Sequence, residues 1–134
     1  MRKILLLILF LVNFGVVKSQ NDLFPPTIIK IGITKGIYGI DFGYVNENSI
    51  YQTLNFSIPF LKNRQEYMGY GLGYVLKNNI YGMGLIGMST DFNSILPFYC
   101  GIECGYITKN LVSGVFYTNT TGLGVKIGYT FDFN

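Results

Sequence analysis

Gly122-Leu-Gly-Val-Lys-Ile-Gly-Tyr-Thr-Phe-Asp-Phe-Asn134 is the stretch whose reading decides the fold. Leu123, Val125, Ile127, Tyr129, Phe131 and Phe133 hold the odd places; Gly122, Gly124, Lys126, Gly128, Thr130 and Asp132 hold the even ones. Successive side chains of a strand point to opposite faces, so this alternation describes a strand with one apolar face and one small or polar face. Which face meets the interior decides between a soluble protein and a membrane protein.

Seven similar runs precede it, at Thr27–Thr34, Ile37–Val45, Ile50–Phe60, Tyr67–Leu76, Ile80–Met88, Ile95–Ile107 and Leu111–Thr118. The segments between them have two to six residues and are rich in Asn, Lys, Ser, Thr and Gly. Connections this short make antiparallel hairpins of sequential strands. No segment carries a helical period. The expected fold is all-β: one eight-stranded, up-and-down antiparallel barrel with short turns.

Most runs separate their faces cleanly. Ile29, Ile31 and Ile33 oppose Lys30, Gly32 and Thr34; Tyr38, Ile40, Phe42 and Tyr44 oppose Gly39, Asp41 and Gly43. Met68, Tyr70, Leu72 and Tyr74 oppose Gly69, Gly71 and Gly73, and Phe98, Cys100, Ile102, Cys104 and Tyr106 oppose Gly101, Glu103 and Gly105. The fifth run breaks step at Leu85-Ile86-Gly87, which predicts a bulge. The seventh, LVSGVFYT, is mixed on both faces.

An apolar face turned inward would crowd an eight-stranded interior, which accommodates about one layer of filling. Its water-facing surface would be mostly glycine, a poor basis for solubility. Turned outward, the same residues form the lipid-facing band of a transmembrane barrel, with glycine and a few polar groups in a narrow lumen. Closure also satisfies every backbone hydrogen bond, as a bilayer requires. The outward reading is preferred.

It places Lys30, Asp41, Glu103 and Lys126 as lumen-lining residues, with Asp132 on the same face. A Lys35–Gly36 turn pairs Thr34 with Ile37 and sets Lys30 opposite Asp41; Lys126 comes beside the first strand when the barrel closes. Opposed ions offset each other's desolvation, which unpaired buried ions cannot. Tyr44, Tyr51, Tyr67, Tyr81, Tyr106 and Tyr117 lie near strand ends and suit interfacial girdles.

With its eight alternating strands and aromatic end, the chain resembles small bacterial outer-membrane β-barrel proteins of the OmpA/OmpX-like type. The resemblance implies insertion by the outer-membrane barrel assembly machinery, with Tyr129, Phe131 and Phe133 as the C-terminal assembly signal. One departure is that Asn134 follows the last aromatic, where the family ends on the aromatic itself. The pattern transfers an architecture and leaves the function open.

The start, MRKILLLILFLVNFGVVKSQ, fits a secretory signal peptide over residues 1–19: a basic Arg2-Lys3, the apolar run Ile4–Val12, and small residues Val17 and Ser19 before a cleavage point. Ile4–Val17 falls short of the roughly 20 residues of a spanning helix. Residues 20–26 form a short lead-in, and 27–134 the barrel domain. Without the leader, basic and acidic side chains balance at seven each, which gives no support for a nucleic-acid partner. Export to the bacterial outer membrane is the expected localisation.

Chemistry has few candidates. The chain has no histidine, which excludes a Ser-His hydrolase. Asp41 and Glu103 would balance charge rather than form an acid–base pair, so no catalytic residue and no enzyme activity are expected. Gly82-Met-Gly-Leu-Ile-Gly87 matches a dinucleotide fingerprint but lies within a strand run, with no helix to receive a pyrophosphate. Cys100 and Cys104, alone and without histidine, make a poor metal site, and no cofactor is expected. The sequon Asn119-Thr-Thr121 matters only in a eukaryotic secretory protein.

Three functions fit. One is a structural or general envelope protein with a narrow or plugged lumen, whose partner is the lipid bilayer. Another is a narrow pore or conduit for small ions or ligands, since the inward glycines leave room. The third is a secreted soluble barrel that binds a hydrophobic ligand.

Overall fold

The hairpin turns set the architecture. Gly36 (φ 85°) closes the two-residue Lys35–Gly36 turn in the left-handed region, where glycine carries no Cβ penalty. In the Asn46–Ser49 turn, Asn46 Oδ1 accepts the amides of Asn48 and Ile50, both at 2.9 Å, a side chain holding the chain reversal in place. Our computed structural model describes residues 27–60, 66–89 and 98–131. Residues 1–26, with the expected signal peptide and lead-in, residues 61–65 and 90–97, and residues 132–134, with Asp132 and Phe133, lie outside these.

Eight strands follow: β1 Thr27–Thr34, β2 Ile37–Val45, β3 Ile50–Pro59, β4 Tyr67–Val75, β5 Ile80–Ser89, β6 Phe98–Ile107, β7 Leu111–Thr118 and β8 Gly122–Phe131. Each pairs antiparallel with the next, and β8 pairs with β1 from Thr27–Phe131 to Thr34–Gly124, closing the barrel. Closure leaves no free sheet edge. The β1–β2 and β7–β8 turns lie at one end. The chain ends of β1 and β8 and the β2–β3, β4–β5 and β6–β7 turns lie at the other.

The outer wall is apolar. Ile31, Ile102, Leu123, Val125 and Ile127 are all more than half exposed. The acidic and basic side chains of the eight strands are Lys30, Asp41, Glu103 and Lys126, and all four are buried.

Several details differ from the sequence reading. No bulge interrupts β5, which pairs in continuous register with β4 and β6. Its composition is inverted instead: Tyr81, Met83 and Leu85 point inward, while Gly82 and Gly84 stand on the outer face. The inversion is accommodated by β4, where Gly71 and Gly73 leave the space that Met83 and Leu85 fill. In β7, Val112 and Phe116 face inward, and Leu111, Val115 and Tyr117 face outward. Of the expected girdle tyrosines, Tyr51, Tyr67 and Tyr81 are core residues. They occupy inward places in their strands, so parity overrides proximity to a strand end. Tyr44 is also buried, whereas Tyr106 and Tyr117 are exposed.

Candidate functional site

The interior is layered. At mid-height four strands contribute the charges: Lys30 from β1, Asp41 from β2, Glu103 from β6 and Lys126 from β8. Lys30 pairs with Asp41 across β1–β2, as the Lys35–Gly36 turn dictates. Lys126 pairs in register with Gly32, whose missing side chain lets the lysine lie across β1: a Cβ there would stand 2.9 Å from Lys126 Cγ.

The four close into a ring in which each cation contacts both anions. Lys126 Nζ donates to Asp41 Oδ2 at 2.6 Å and to Glu103 Oε2 at 2.7 Å. Lys30 Nζ donates to Glu103 Oε1 and lies 3.4 Å from Asp41 Oδ2. Lys30 is 0% exposed, Asp41 and Glu103 2%, and Lys126 7%. Burying one such ion costs several kcal/mol, and the cost is recovered only when every partner is present. This ring meets that condition with zero net charge.

Aromatic side chains enclose the ring. Tyr81 donates its hydroxyl to Glu103 Oε1 at 2.8 Å. Lys30 Nζ lies 5.0 Å from the Tyr51 ring centroid and 5.3 Å from that of Tyr81, and Lys126 Nζ lies 4.7 Å from that of Phe116. These are cation–π distances, and desolvation strengthens such contacts. Tyr51 and Tyr81 meet edge to face at 5.1 Å. Toward the end where β1 starts and β8 finishes, Ile28, Tyr51, Tyr81 and Val112 are at most 2% exposed and fill the bore.

The inward glycines are seats for these rings. A methyl group on Gly69 or Gly87 would collide with the Tyr99 ring, and one on Gly114 with the Tyr81 hydroxyl. The room anticipated from glycine content is therefore occupied by side chains from neighbouring strands, a packing in which large and small residues interdigitate. Composition alone hid this. Counting inward places along β3 and β5 would have found Tyr51 and Tyr81.

The other sequence candidates lie apart from the ring. Tyr129 and Phe131 are exposed on the outer face with ring centroids 5.1 Å apart, and Phe133 lies outside the described residues. Cys100 and Cys104 are free and exposed. The glycine motif of β5 is an uninterrupted strand. Asn119 is exposed, and its Oδ1 accepts the Cys100 amide at 3.0 Å. Among the described residues no group of three or more His, Cys, Asp or Glu side chains is placed to hold a metal ion.

No family model and no curated protein matches the chain. A solved structure from the de novo design of transmembrane β-barrels is similar to it, with 14% sequence identity and a TM-score of 0.51 over 82% of this chain and 98% of that one. At that identity the likeness concerns the fold alone, a closed, eight-stranded antiparallel barrel.

Proposed function

We propose that this protein is an integral β-barrel of the bacterial outer membrane, exported by a cleaved leader, with a plugged lumen and a structural role in the envelope. One observation carries the reading: every strand-borne charge is turned into the lumen, and the outer wall is apolar. In water that wall would be an exposed apolar patch far larger than monomers tolerate. In a bilayer it is the lipid-facing band. The OmpA/OmpX-like likeness and insertion by the assembly machinery through Tyr129, Phe131 and Phe133 belong to the same proposal.

The filled bore favours a closed barrel over a conduit for small ions. Tyr51, Tyr81, Val112 and Ile28 block one half, and the charge ring spans the middle. Fractionation with a heat-modifiable gel shift tests the membrane reading: the protein should require detergent and stay compact in SDS until boiled. Recovery in a detergent-free soluble fraction would overturn it. Planar bilayers test the plug separately. Steady conductance beside a conducting porin control would replace the structural role with a pore.

A further inference from the structure

The strand register fixes the stagger of the barrel. Val45 pairs with Tyr51, Tyr51 with Gly73, Gly73 with Met83 and Met83 with Glu103. Glu103 pairs with Phe116, Phe116 with Gly124, Gly124 with Thr34, and Thr34 with Ile37, back on β2 and eight residues from Val45. A stagger of eight in an eight-stranded barrel tilts the strands by about 36°. One step to the next strand, about 4.8 Å, then climbs the axis by about 2.8 Å, and one residue along a strand, about 3.3 Å, climbs about 2.7 Å. The two steps are interchangeable, so register alone gives each residue a height. The charge ring conforms: Asp41, Glu103 and Lys126 fall at one height and Lys30 one residue away, matching their contacts.

The outer face carries a level of its own. Gly-Tyr occurs at 43–44, 73–74, 105–106 and 128–129, in the four even-numbered strands. The register puts these four tyrosines on the outer face at one height, near the end where β1 starts and β8 finishes. Tyr74, Tyr106 and Tyr129 are exposed, and Tyr44 is buried. Gln52 and Ser113 lie about one residue higher on the same face. Tyr70 stands about three residues above Gln52 and turns its hydroxyl down to Gln52 Oε1, at 2.8 Å. A tyrosine presents an apolar ring and a polar tip, so this layer suits a boundary between hydrocarbon and headgroups.

At the opposite end the apolar wall stops at Lys35 and Asn119, exposed turn residues of equal height, each one residue past its strand. About seven residue steps separate the two levels, a rise of about 19 Å. Transmembrane barrels of the outer-membrane type carry an apolar band about 25 Å tall. This wall is short.

We propose that the outer wall fits a thin bilayer, with hydrocarbon about 20 Å thick, and that Tyr74, Tyr106 and Tyr129 hold one of its two boundaries. The proposal rests on the membrane placement above and adds a depth and a lipid preference to it. In a thicker membrane the lipid around the barrel has to thin, at a cost that grows with the mismatch.

The chain has no tryptophan, so single substitutions report depth. Tyr74→Trp, Tyr129→Trp, Ile102→Trp and Met88→Trp chains are refolded into didodecanoyl phosphatidylcholine vesicles doped with lipids brominated at different acyl carbons. Bromine near the headgroup should quench the Tyr74→Trp and Tyr129→Trp probes strongly and equally, and the Met88→Trp probe to a similar degree. Bromine near the chain end should quench the Ile102→Trp probe most. Unequal depths at 74 and 129, or a Met88→Trp probe as deep as Ile102→Trp, would overturn the proposal while leaving the barrel in the membrane. Absence of quenching at all four positions would overturn the membrane reading, and the fit with it. The unaltered chain gives an independent measure: its urea midpoint should be higher in didodecanoyl than in dioleoyl vesicles, and the reverse order would overturn the thin fit.

Discussion

Lys126 Nζ lies 2.6 Å from Asp41 Oδ2, joining β8 to β2 across 85 residues of sequence and over the intervening strand β1. The barrel seam, where the last strand meets the first, is thus tied by an interior ion pair as well as by the β1–β8 hydrogen bonds. Glu103 reaches the same lysine from β6, two strands from β8, so the ring ties the seam to both sides of the barrel.

The ring should behave as one unit. Glu103→Gln removes one anion and leaves two buried lysines sharing Asp41, which should cost about 3–5 kcal/mol. Lys30→Met in the same chain restores charge balance, so the double variant should lose much less than the sum of the two single losses. Urea unfolding of the refolded barrel, arranged as a double-mutant cycle, measures the coupling. Additive losses would show that the ions act separately.

Gly32 is the passage for Lys126. A valine there places its side chain where the lysine stem now lies, so Gly32→Val should displace Lys126 from Asp41 and cost about 1–3 kcal/mol by overpacking. Truncating the obstructed side chain should relieve it: in a Lys126→Ala background the same substitution should cost less. Equilibrium unfolding of the four chains tests this, and an undiminished cost would place the clash in the backbone instead.

Much of this architecture was legible because a strand writes its two faces alternately. β1, β2 and β7 carry the bounds that turn residues and periodicity predict, and Lys30 opposite Asp41 follows from the length of a single turn. β5 was misread for a physical reason. Its large residues face inward because β4 offers glycines to receive them, a compensation between strands that no single run displays. Contacts across the lumen, such as Lys30 with Glu103, depend on strand tilt and side-chain reach. Alternation gives a residue's face without its partner on the opposite wall.

The inverted composition of β5 makes glycines of adjacent strands respond in opposite ways. Nothing lies within 4 Å of a Cβ built on Gly84, whereas one on Gly71 would meet Leu85 Cδ2 at 3.0 Å and Met83 Sδ at 3.1 Å. Gly84→Val adds a β-branched residue to the outer wall and should be neutral or stabilising by up to about 1 kcal/mol. Gly71→Val should destabilise by about 1–3 kcal/mol. Unfolding midpoints in lipid vesicles decide the matter, and the reverse order would mean that the inner and outer faces of β4 and β5 have been exchanged.

Val125 and Lys126 are consecutive residues on opposite faces, the first 59% exposed and the second 7% exposed. Val125→Lys would put an ammonium on the apolar outer face of β8, which the proposed membrane placement turns to lipid, at a cost of about 2–4 kcal/mol near the bilayer midplane. It should sharply reduce insertion into preformed vesicles. Lys126→Gln leaves the outer face unaltered, so insertion should proceed. The inserted barrel should nevertheless unfold at a lower urea concentration, because two carboxylates then share Lys30 alone. Gel-shift assays report insertion and urea titration reports stability, so the two effects separate. Equal insertion of both variants would contradict the assignment of faces. Unchanged stability of the Lys126→Gln barrel would contradict the ring.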